Sequence, residues 1–226
     1  MKEAARRYDW VTFDCYGTLI DWEEGIGGAI VRAAAADGFE LDRAEVLSAY
    51  AEIEPIVQAG AYRSYRDVLM ETSRRVARRF DWPLAETESD FLPRSLGDWA
   101  AFPDTRPALE RLATAGYRLG ILSNIDTDLL ALTLRRLDLT FDLRVTAQDV
   151  GAYKPAHAHF HEARRRIGDA RWLHAAQSWF HDVVPAEALG IPVAWINRRS
   201  ERPDPPRPAV RELPTLRELA DWLAPR

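Results

Sequence analysis

The chain has 226 residues, of which 47% are hydrophobic, and carries a formal net charge of −5. This is enough apolar material for one sizeable core, or for one core and a small accessory domain, and the weak acidity argues against a nucleic-acid-binding protein. No apolar run approaches the ~18 residues of a membrane span and the N-terminal stretch lacks an apolar signal region, so we expect a cytoplasmic protein without membrane association. The single cysteine, Cys15, rules out an internal disulfide and is expected to be a small core residue.

The first predicted element is a strand at residues 10–13 (WVTF), and the stretch that follows it has a different character. From Trp22 to about Trp99 there is no strand-like run, and helical spacing predicts four helices, at 26–36, 43–58, 62–80 and 86–97. Open α/β sheets bind ligands at the carboxyl ends of their strands, and an insert after the first strand begins at that edge. We therefore interpret this stretch as a cap that closes over the site and excludes water.

The rest of the chain alternates between predicted strands and predicted helices. Strand-like apolar runs occupy 117–124, 142–147, 172–178 and 192–197, and helical spacing occurs at 105–115, 127–137 and 157–167. Strands without polar alternation, separated by helices, are typical of a parallel sheet covered on both faces. The sequence thus predicts a doubly wound, Rossmann-like α/β core of residues 1–21 and 100–226, with a helical cap domain of residues 22–99.

Residues 201–214, ERPDPPRPAVRELP, contain five of the 14 prolines of the chain. Such a composition is found in peptide-docking motifs and in stiff loops. We predict a stiff surface loop here, followed by a last helix at 215–223.

Polar residues follow four of the predicted strands. Asp14 ends the first strand, Ser123 and Asn124 end the second, Lys154 follows the third, and Asp182 follows the fourth. The carboxyl ends of parallel strands share one edge of the sheet, so these side chains are expected to converge there. Each of them could instead cap a helix or face solvent. We favour a site because all five occur at successive strand ends.

Four short motifs at these positions resemble the signatures of the haloacid dehalogenase superfamily: FDCYGTLID, LSN, YKP and QSWFHD, in that order. The helical insert is similar to the cap domain of that family. The L-2-haloacid dehalogenase branch resembles this chain most, since its first signature also reads D-x-Y-G-T.

The resemblance implies a catalytic group of four residues. Asp14 is the implied nucleophile, and Thr18 orients it by a hydrogen bond. Lys154 pairs with Asp14 and stabilises charge, and Asp182 positions Lys154 and the hydrolytic water. Ser123 and Asn124 are implied to hold the substrate carboxylate or the departing group.

Tyr16 distinguishes two activities of the superfamily. Its phosphatases have an aspartate at that position, which protonates a departing alkoxide; a tyrosine, with a reference pKa near 10, is a poorer acid. A halide leaves as a weak base and gains from N–H donors and the positive edges of aromatic rings. Gln177 also stands where the phosphatases have a magnesium-binding acid, and a neutral amide is a poor ligand for that ion. We therefore predict a 2-haloacid dehalogenase that uses no cofactor and no metal, with a phosphatase or a catalytically silent binding protein as alternatives.

The substrate-contacting residues depart from the family pattern. The dehalogenases carry a cap arginine that the matching region here lacks, and Arg63 or Arg66 is expected to replace it unless both are surface residues. Tyr65 and Trp179 are expected to line an apolar pocket, although aromatic side chains also build ordinary cores. The predicted partner is a small carboxylic acid, bound by a monomer or a homodimer.

Histidines offer two further readings. In HAHFH, only His157 and His161 share a helix face and no third ligand is evident, so no metal site is predicted there. His181 is a candidate general base, although packing at a helix start explains it equally well.

Overall fold

The structure, a computed structural model, describes residues 6–203 and 209–225. It consists of two compact units. The sheet unit comprises the described parts of Met1–Ile20, Ala101–Asn124 and Leu137–Arg226, and the helical unit comprises Asp21–Ala100 and Ile125–Arg136. The helical unit therefore contains a segment that follows the second strand, in addition to the insert after the first.

Strands in the sheet unit form one six-stranded sheet in which every neighbouring pair is parallel. The strands are β1 (Trp10–Phe13), β2 (Arg118–Ser123), β3 (Leu143–Thr146), β4 (Trp172–Ala176), β5 (Val193–Ile196) and β6 (Arg211–Leu213). Their spatial order is β3-β2-β1-β4-β5-β6, which places β1 between β2 and β4. The predicted doubly wound parallel α/β fold is confirmed.

Helices of the described residues are, in chain order, α1 (Trp22–Ala36), α2 (Arg43–Gln58), α3 (Tyr65–Arg79), α4 (Phe91–Ser95), α5 (Thr105–Thr114), α6 (Thr127–Leu137), α7 (Ala147–Val150), α8 (Ala158–Ile167), α9 (Val184–Ala188) and α10 (Leu216–Leu223). A π-helical turn, Trp179–Val183, precedes α9. None of the described helices is both long and apolar enough to cross a membrane.

The central strands are buried because helices cover the sheet. All residues of β1, β4 and β5 are buried, and so are five of the six residues of β2. This explains why their sequences are continuous apolar runs rather than alternating ones. Because β2, β1 and β4 are neighbouring parallel strands, they end at the same edge of the sheet, and the residues that follow them lie close together.

The helical unit begins its helices with side-chain caps. Asp42 accepts hydrogen bonds from the backbone N–H groups of Ala44 and Glu45 at the start of α2, and Ser64 accepts one from Asp67 at the start of α3. Such caps satisfy amides that have no partner within the helix. Gly25 of α1 allows close packing, because a Cβ atom there would lie 2.4 Å from the Trp99 ring.

The expected helix at 86–97 is broken. The structure has a 3₁₀ turn at Glu86–Glu88, the short helix α4, and another 3₁₀ turn at Leu96–Asp98. Pro93 lies in the first turn of α4, the part of a helix that tolerates proline, so a helix running unbroken through this position is disfavoured.

The prediction of a loop over residues 201–214 is wrong for the last part of that segment. Arg211–Leu213 forms the edge strand β6, whose residues pair with Ala194–Ile196 of β5. An edge strand of three residues has too little apolar pattern to stand out beside prolines, which are themselves tolerated at sheet edges. Residues 204–208, which hold three of the prolines of this segment, lie outside the described residues.

Candidate active site

A tight turn after β1 brings Thr18 back to Asp14. Gly17 has a φ of 94°, a backbone conformation that favours glycine, and its N–H donates to the Ile20 carbonyl at 2.8 Å. Thr18 Oγ1 accepts the N–H of Gln177 at 2.9 Å and donates to Asp14 Oδ2, also at 2.9 Å. Because the backbone N–H of Gln177 can only donate, the Thr18 hydroxyl proton is directed at Asp14.

Lys154 lies at the centre of the site. Its ammonium donates to Asp14 Oδ1 at 2.9 Å, to Asp182 Oδ1 at 2.6 Å and to the Leu122 carbonyl at 2.9 Å. An ammonium has three N–H bonds, so all of them are used. The Lys154 side chain is 1% exposed and is therefore fixed between the two carboxylates.

Asn124 holds the backbone of Lys154 from both sides. Its Oδ1 accepts the Lys154 N–H at 2.7 Å, and its Nδ2 donates to the Lys154 carbonyl at 3.0 Å. The amide that was predicted to contact substrate thus positions the lysine. Its assignment to substrate binding stays a prediction.

The surroundings of Asp14, Asp182 and Lys154 shift the pKa values of these three groups in different ways. Burial raises the pKa of Asp14 above its ordinary value, the Lys154 ammonium opposes this, and the Asp182 charge adds to it. Burial also works against ionised Asp182, but Lys154 and a hydrogen bond from His174 lower the pKa of Asp182 to about 2. Burial would lower the pKa of Lys154, and the two carboxylates raise it instead.

Asp14 is the most exposed of the three ionisable groups. Its side chain is 10% exposed, whereas those of Lys154 and Asp182 are each 1% exposed. Lys154 and Asp182 form a closed ion pair, and Asp14 carries the remaining negative charge with access to a ligand. A positioned, partly desolvated carboxylate of this kind is suited to nucleophilic attack.

Two residues of the site were missed in the sequence. His174 and Thr12, on β4 and β1, are fully buried, and His174 Nε2 lies 3.0 Å from Asp182 Oδ1. The available signal was a polar residue inside the apolar run WLHAAQS.

Arg198, which follows β5, was also missed. It donates to the Thr18 carbonyl at 2.9 Å and to both carboxylate oxygens of Asp104, while its guanidinium lies 3.9 Å from the centre of the Phe102 ring. Arg198 therefore holds the turn through the Thr18 carbonyl, whereas the Thr18 hydroxyl contacts Asp14 Oδ2.

The other predicted substrate residues of the sheet unit occupy varied positions. Ser123 is buried and its Oγ has no hydrogen-bond partner among the described residues. Tyr16 is half-buried directly after the Asp14-Cys15 pair, and Cys15 is buried, as expected. Trp179 packs edge-on against Trp195 with ring centres 4.8 Å apart, which fits the core reading of that side chain.

Tyr65 and Arg66 belong to the helical unit, at the start of α3. Their backbone N–H groups both donate to the Asp126 carboxylate, each at 2.9 Å. Arg66 forms an ion pair with Asp128 at 2.6 Å, and Arg63 donates to the Val57 carbonyl near the end of α2. The structure thus gives the side chains of both arginines partners within the helical unit, and the substrate-binding role of Tyr65 and Arg66 stays a prediction.

The histidines outside β4 have structural partners. The rings of His157 and His161 meet edge to face with centres 6.0 Å apart, and His159 Nε2 lies 3.1 Å from the Ser123 carbonyl. Burial lowers the pKa of His159 to about 4. His181 Nδ1 lies 3.0 Å from Ser178 Oγ, and burial lowers the pKa of His181 as well.

Comparison with known proteins identifies the family. Residues 8–189 match the sequence profile of the haloacid dehalogenase-like hydrolases. The chain belongs to this family. This hydrolase also matches an (S)-2-haloacid dehalogenase from Burkholderia cepacia. The two proteins are 27% identical over 221 residues, which cover 94% of this chain and 93% of that protein.

A solved L-2-haloacid dehalogenase has the same fold as this haloacid dehalogenase-like hydrolase, with a TM-score of 0.81 at 25% identity, over 96% of this chain and 98% of its own. A glyceraldehyde 3-phosphate phosphatase from Methanothermobacter thermautotrophicus is 31% identical over 160 residues, which cover 63% of this chain and 70% of that protein. The resemblance found in the four motifs is confirmed.

The donor set of this hydrolase does not suit the magnesium site of the family's phosphatases. Gln177 has an amide where those enzymes have a carboxylate, and its Nε2 donates to Glu201 at 2.9 Å. Asp182 Oδ1 is already bound to Lys154 and His174. No group of three or more histidine, cysteine or acidic side chains within residues 6–203 and 209–225 is arranged to hold a metal ion. Magnesium prefers several oxygen ligands, which this arrangement of side chains does not offer.

Proposed function

We propose that this hydrolase releases halide from a small 2-haloalkanoic acid by way of an ester on Asp14. The observation that carries the proposal is the contact set of Asp14: Lys154 on one oxygen, Thr18 on the other, and no strong acid two residues later. The relationship to (S)-2-haloacid dehalogenases over 93–94% of the chain supports it.

In the first step, a carboxylate oxygen of Asp14 attacks the carbon that bears the halogen. The new C–O bond forms as the C–halogen bond breaks, and the halide leaves with the bonding electrons. No proton is needed, because a halide is a weak base. Tyr16, which is a poor proton donor at neutral pH, is compatible with this leaving group.

In the second step, water attacks the carbonyl carbon of the Asp14 ester. Lys154 stabilises the oxyanion that develops there, since its ammonium already lies against Asp14 Oδ1. One proton of the water goes to the departing alkoxide of the 2-hydroxy acid, and the other is released when Asp14 ionises again. Asp182 Oδ2 has no hydrogen-bond partner among the described residues and is the oxygen we assign to orienting this water.

The test is halide release from chloro-, bromo- and fluoroacetate and from both 2-chloropropionate enantiomers, with Asp14→Asn as the variant. We expect release with the wild type, none with Asp14→Asn, and unchanged release with the exposed control Asp169→Asn. A single turnover in heavy-oxygen water is expected to label the peptide that contains Asp14, because water attacks its carbonyl. Product without label in that peptide would contradict the ester.

The second candidate is a small-molecule phosphatase, favoured by the partial relationship to a glyceraldehyde 3-phosphate phosphatase. A phosphatase of this kind would release phosphate from p-nitrophenyl phosphate in the presence of magnesium, and a chelator would abolish the release. We expect no such release, because Gln177 and Tyr16 replace acids. Cytoplasmic location and a monomeric or homodimeric state stay predictions.

A further inference from the structure

A line of buried side chains connects Asp182 to the interior of the sheet. Thr12 and His174 are register partners on the neighbouring parallel strands β1 and β4, so their side chains lie on the same face. Thr12 Oγ1 lies 2.8 Å from His174 Nδ1, and His174 Nε2 lies 3.0 Å from Asp182 Oδ1. His174 therefore bridges a strand residue and the carboxylate that holds Lys154.

The directions of these hydrogen bonds follow from a fourth residue. Trp172 Nε1, which can only donate, lies 2.7 Å from Thr12 Oγ1. Thr12 thus accepts from Trp172 and has its hydroxyl proton available for His174 Nδ1. With Nδ1 accepting from Thr12, the ring N–H is on Nε2, which donates to Asp182.

The surroundings of His174 keep its ring in place. His174 is fully buried, and the ring of Phe160 stands perpendicular to it with centres 5.3 Å apart. Trp172 and Phe160 belong to the buried apolar cluster of the sheet unit. A polar side chain enclosed in this way has few alternative partners, so its two hydrogen bonds define one orientation.

We propose that His174 is a positioning residue that acts through Asp182 on the second step of the reaction. The proposal rests on the function proposed above. In the first step Lys154 has two carboxylate partners, Asp14 and Asp182. Once Asp14 is an ester it carries no charge, and of these two partners Asp182 alone still fixes the ammonium as a carboxylate. Loss of the His174 N–H is then felt most when water attacks the ester.

The variants separate this role from simple packing. His174→Leu removes the donor to Asp182, whereas His174→Gln keeps an N–H at about the place of Nε2. Thr12→Val removes the hydroxyl that sets the tautomer, and Thr12→Ser keeps it. We expect ester hydrolysis to slow about 10- to 100-fold in His174→Leu and less in Thr12→Val, because small misplacements at a site cost factors of this size.

The measurement is rapid-quench halide release together with intact-protein mass spectrometry. In His174→Leu we expect a burst of about one halide per site, then slow turnover, and a protein mass raised by the bound acid. Both kcat and KM are expected to fall together, because breakdown of the ester becomes limiting. In His174→Gln and Thr12→Ser, kcat is expected within about threefold of the wild type, with no retained mass.

The outcomes are decisive in either direction. An unchanged kcat in folded His174→Leu, or a loss of the burst itself without retained mass, would overturn the proposal. If His174→Leu does not fold, the difference between Thr12→Val and Thr12→Ser in retained ester decides in its place, and equal behaviour of the two would also overturn it. Absence of halide release in the wild type would instead refute the proposed function.

Discussion

Asp182 of the sheet unit and Glu54 of the helical unit are both acidic side chains largely withdrawn from solvent, yet their pKa values differ widely. The pKa of Asp182 is lowered to about 2, and that of Glu54 is raised to about 7. Burial favours the neutral form of both. The difference lies in the groups that face them.

Asp182 Oδ1 accepts hydrogen bonds from a full positive charge, Lys154, and from the His174 N–H. Glu54 Oε1 accepts from the amide of Gln58 at 3.0 Å, and its carboxyl group also contacts the Tyr65 hydroxyl, which is neutral as well. A carboxyl group that is partly or fully withdrawn from solvent thus stays ionised beside a cation, as Asp182 does, and retains its proton to higher pH beside neutral donors, as Glu54 does. The first arrangement serves chemistry that needs a permanent charge.

The largest effect is expected from making Asp182 resemble Glu54. Lys154→Met removes the cation and leaves two buried carboxylates close together. We expect halide release to be lost and the free energy of unfolding to fall by about 3–5 kcal/mol, the usual result of breaking a buried ion pair. Halide assays and urea unfolding measure the two effects.

The double variant Lys154→Met with Asp182→Asn is the control for charge. It removes one of the uncompensated carboxylates, so part of the stability is expected to return while activity stays absent. Equal stability of the single and double variants would show that lost packing, rather than unpaired charge, causes the destabilisation.

A smaller effect, with a defined pH dependence, is expected at Glu54. The folded protein holds this proton up to a pH of about 7, whereas the unfolded chain loses it near the ordinary value of 4.5. The contribution of Glu54 to stability is therefore full below 4.5 and is lost as pH rises through 7. Glu54→Gln is expected to raise the free energy of unfolding by roughly 1–3 kcal/mol near pH ~8 and to change it little near pH ~4.

Thermal unfolding at the two pH values measures this prediction, and the exposed Glu40→Gln is the matched control. The same increase in stability at both pH values would contradict a carboxyl group that titrates near neutrality. A decrease at high pH would indicate that the ionised form makes a favourable contact in the folded state.

The smallest effect is expected at Asp9, whose pKa is also lowered to about 2, by hydrogen bonds from Arg171. Its side chain is 38% exposed, so water and salt screen the ion pair. We expect Asp9→Asn to reduce the free energy of unfolding by no more than about 1 kcal/mol, with the difference shrinking in high salt. A loss as large as that of Lys154→Met would mean that exposure to water does not weaken the ion pair of Asp9 and Arg171.

Sequence reasoning reached the fold because the runs of β1 to β5 are short and mostly apolar, and helical spacing separates most of them. It also pointed to Asp14 and Lys154, since parallel strands align their ends. The structure connects these two side chains with Thr18 and Asp182: Thr18 donates to Asp14, and Lys154 donates to both Asp14 and Asp182. Their catalytic roles remain predictions.

Other features depend on long-range pairing that periodicity does not record. The edge strand β6 is defined by its pairing with β5 rather than by its own pattern. His174 occupies an ordinary strand position, and only the register between β1 and β4 sets it beside Thr12. In the same way, the direction of the Asn124 amide depends on the path of the chain around Lys154, which lies 30 positions further on.

The carboxylate of Asp126 accepts hydrogen bonds from the backbone N–H groups of Tyr65 and Arg66 at the start of α3. Ile125–Arg136, which contains Asp126, belongs to the helical unit together with Asp21–Ala100. This unit is therefore not a single exchangeable cassette. A chimera that imports only the insert of a relative would separate α3 from the acid that anchors it. Recombination that preserves the unit, in the laboratory or in evolution, has to transfer two stretches of sequence together.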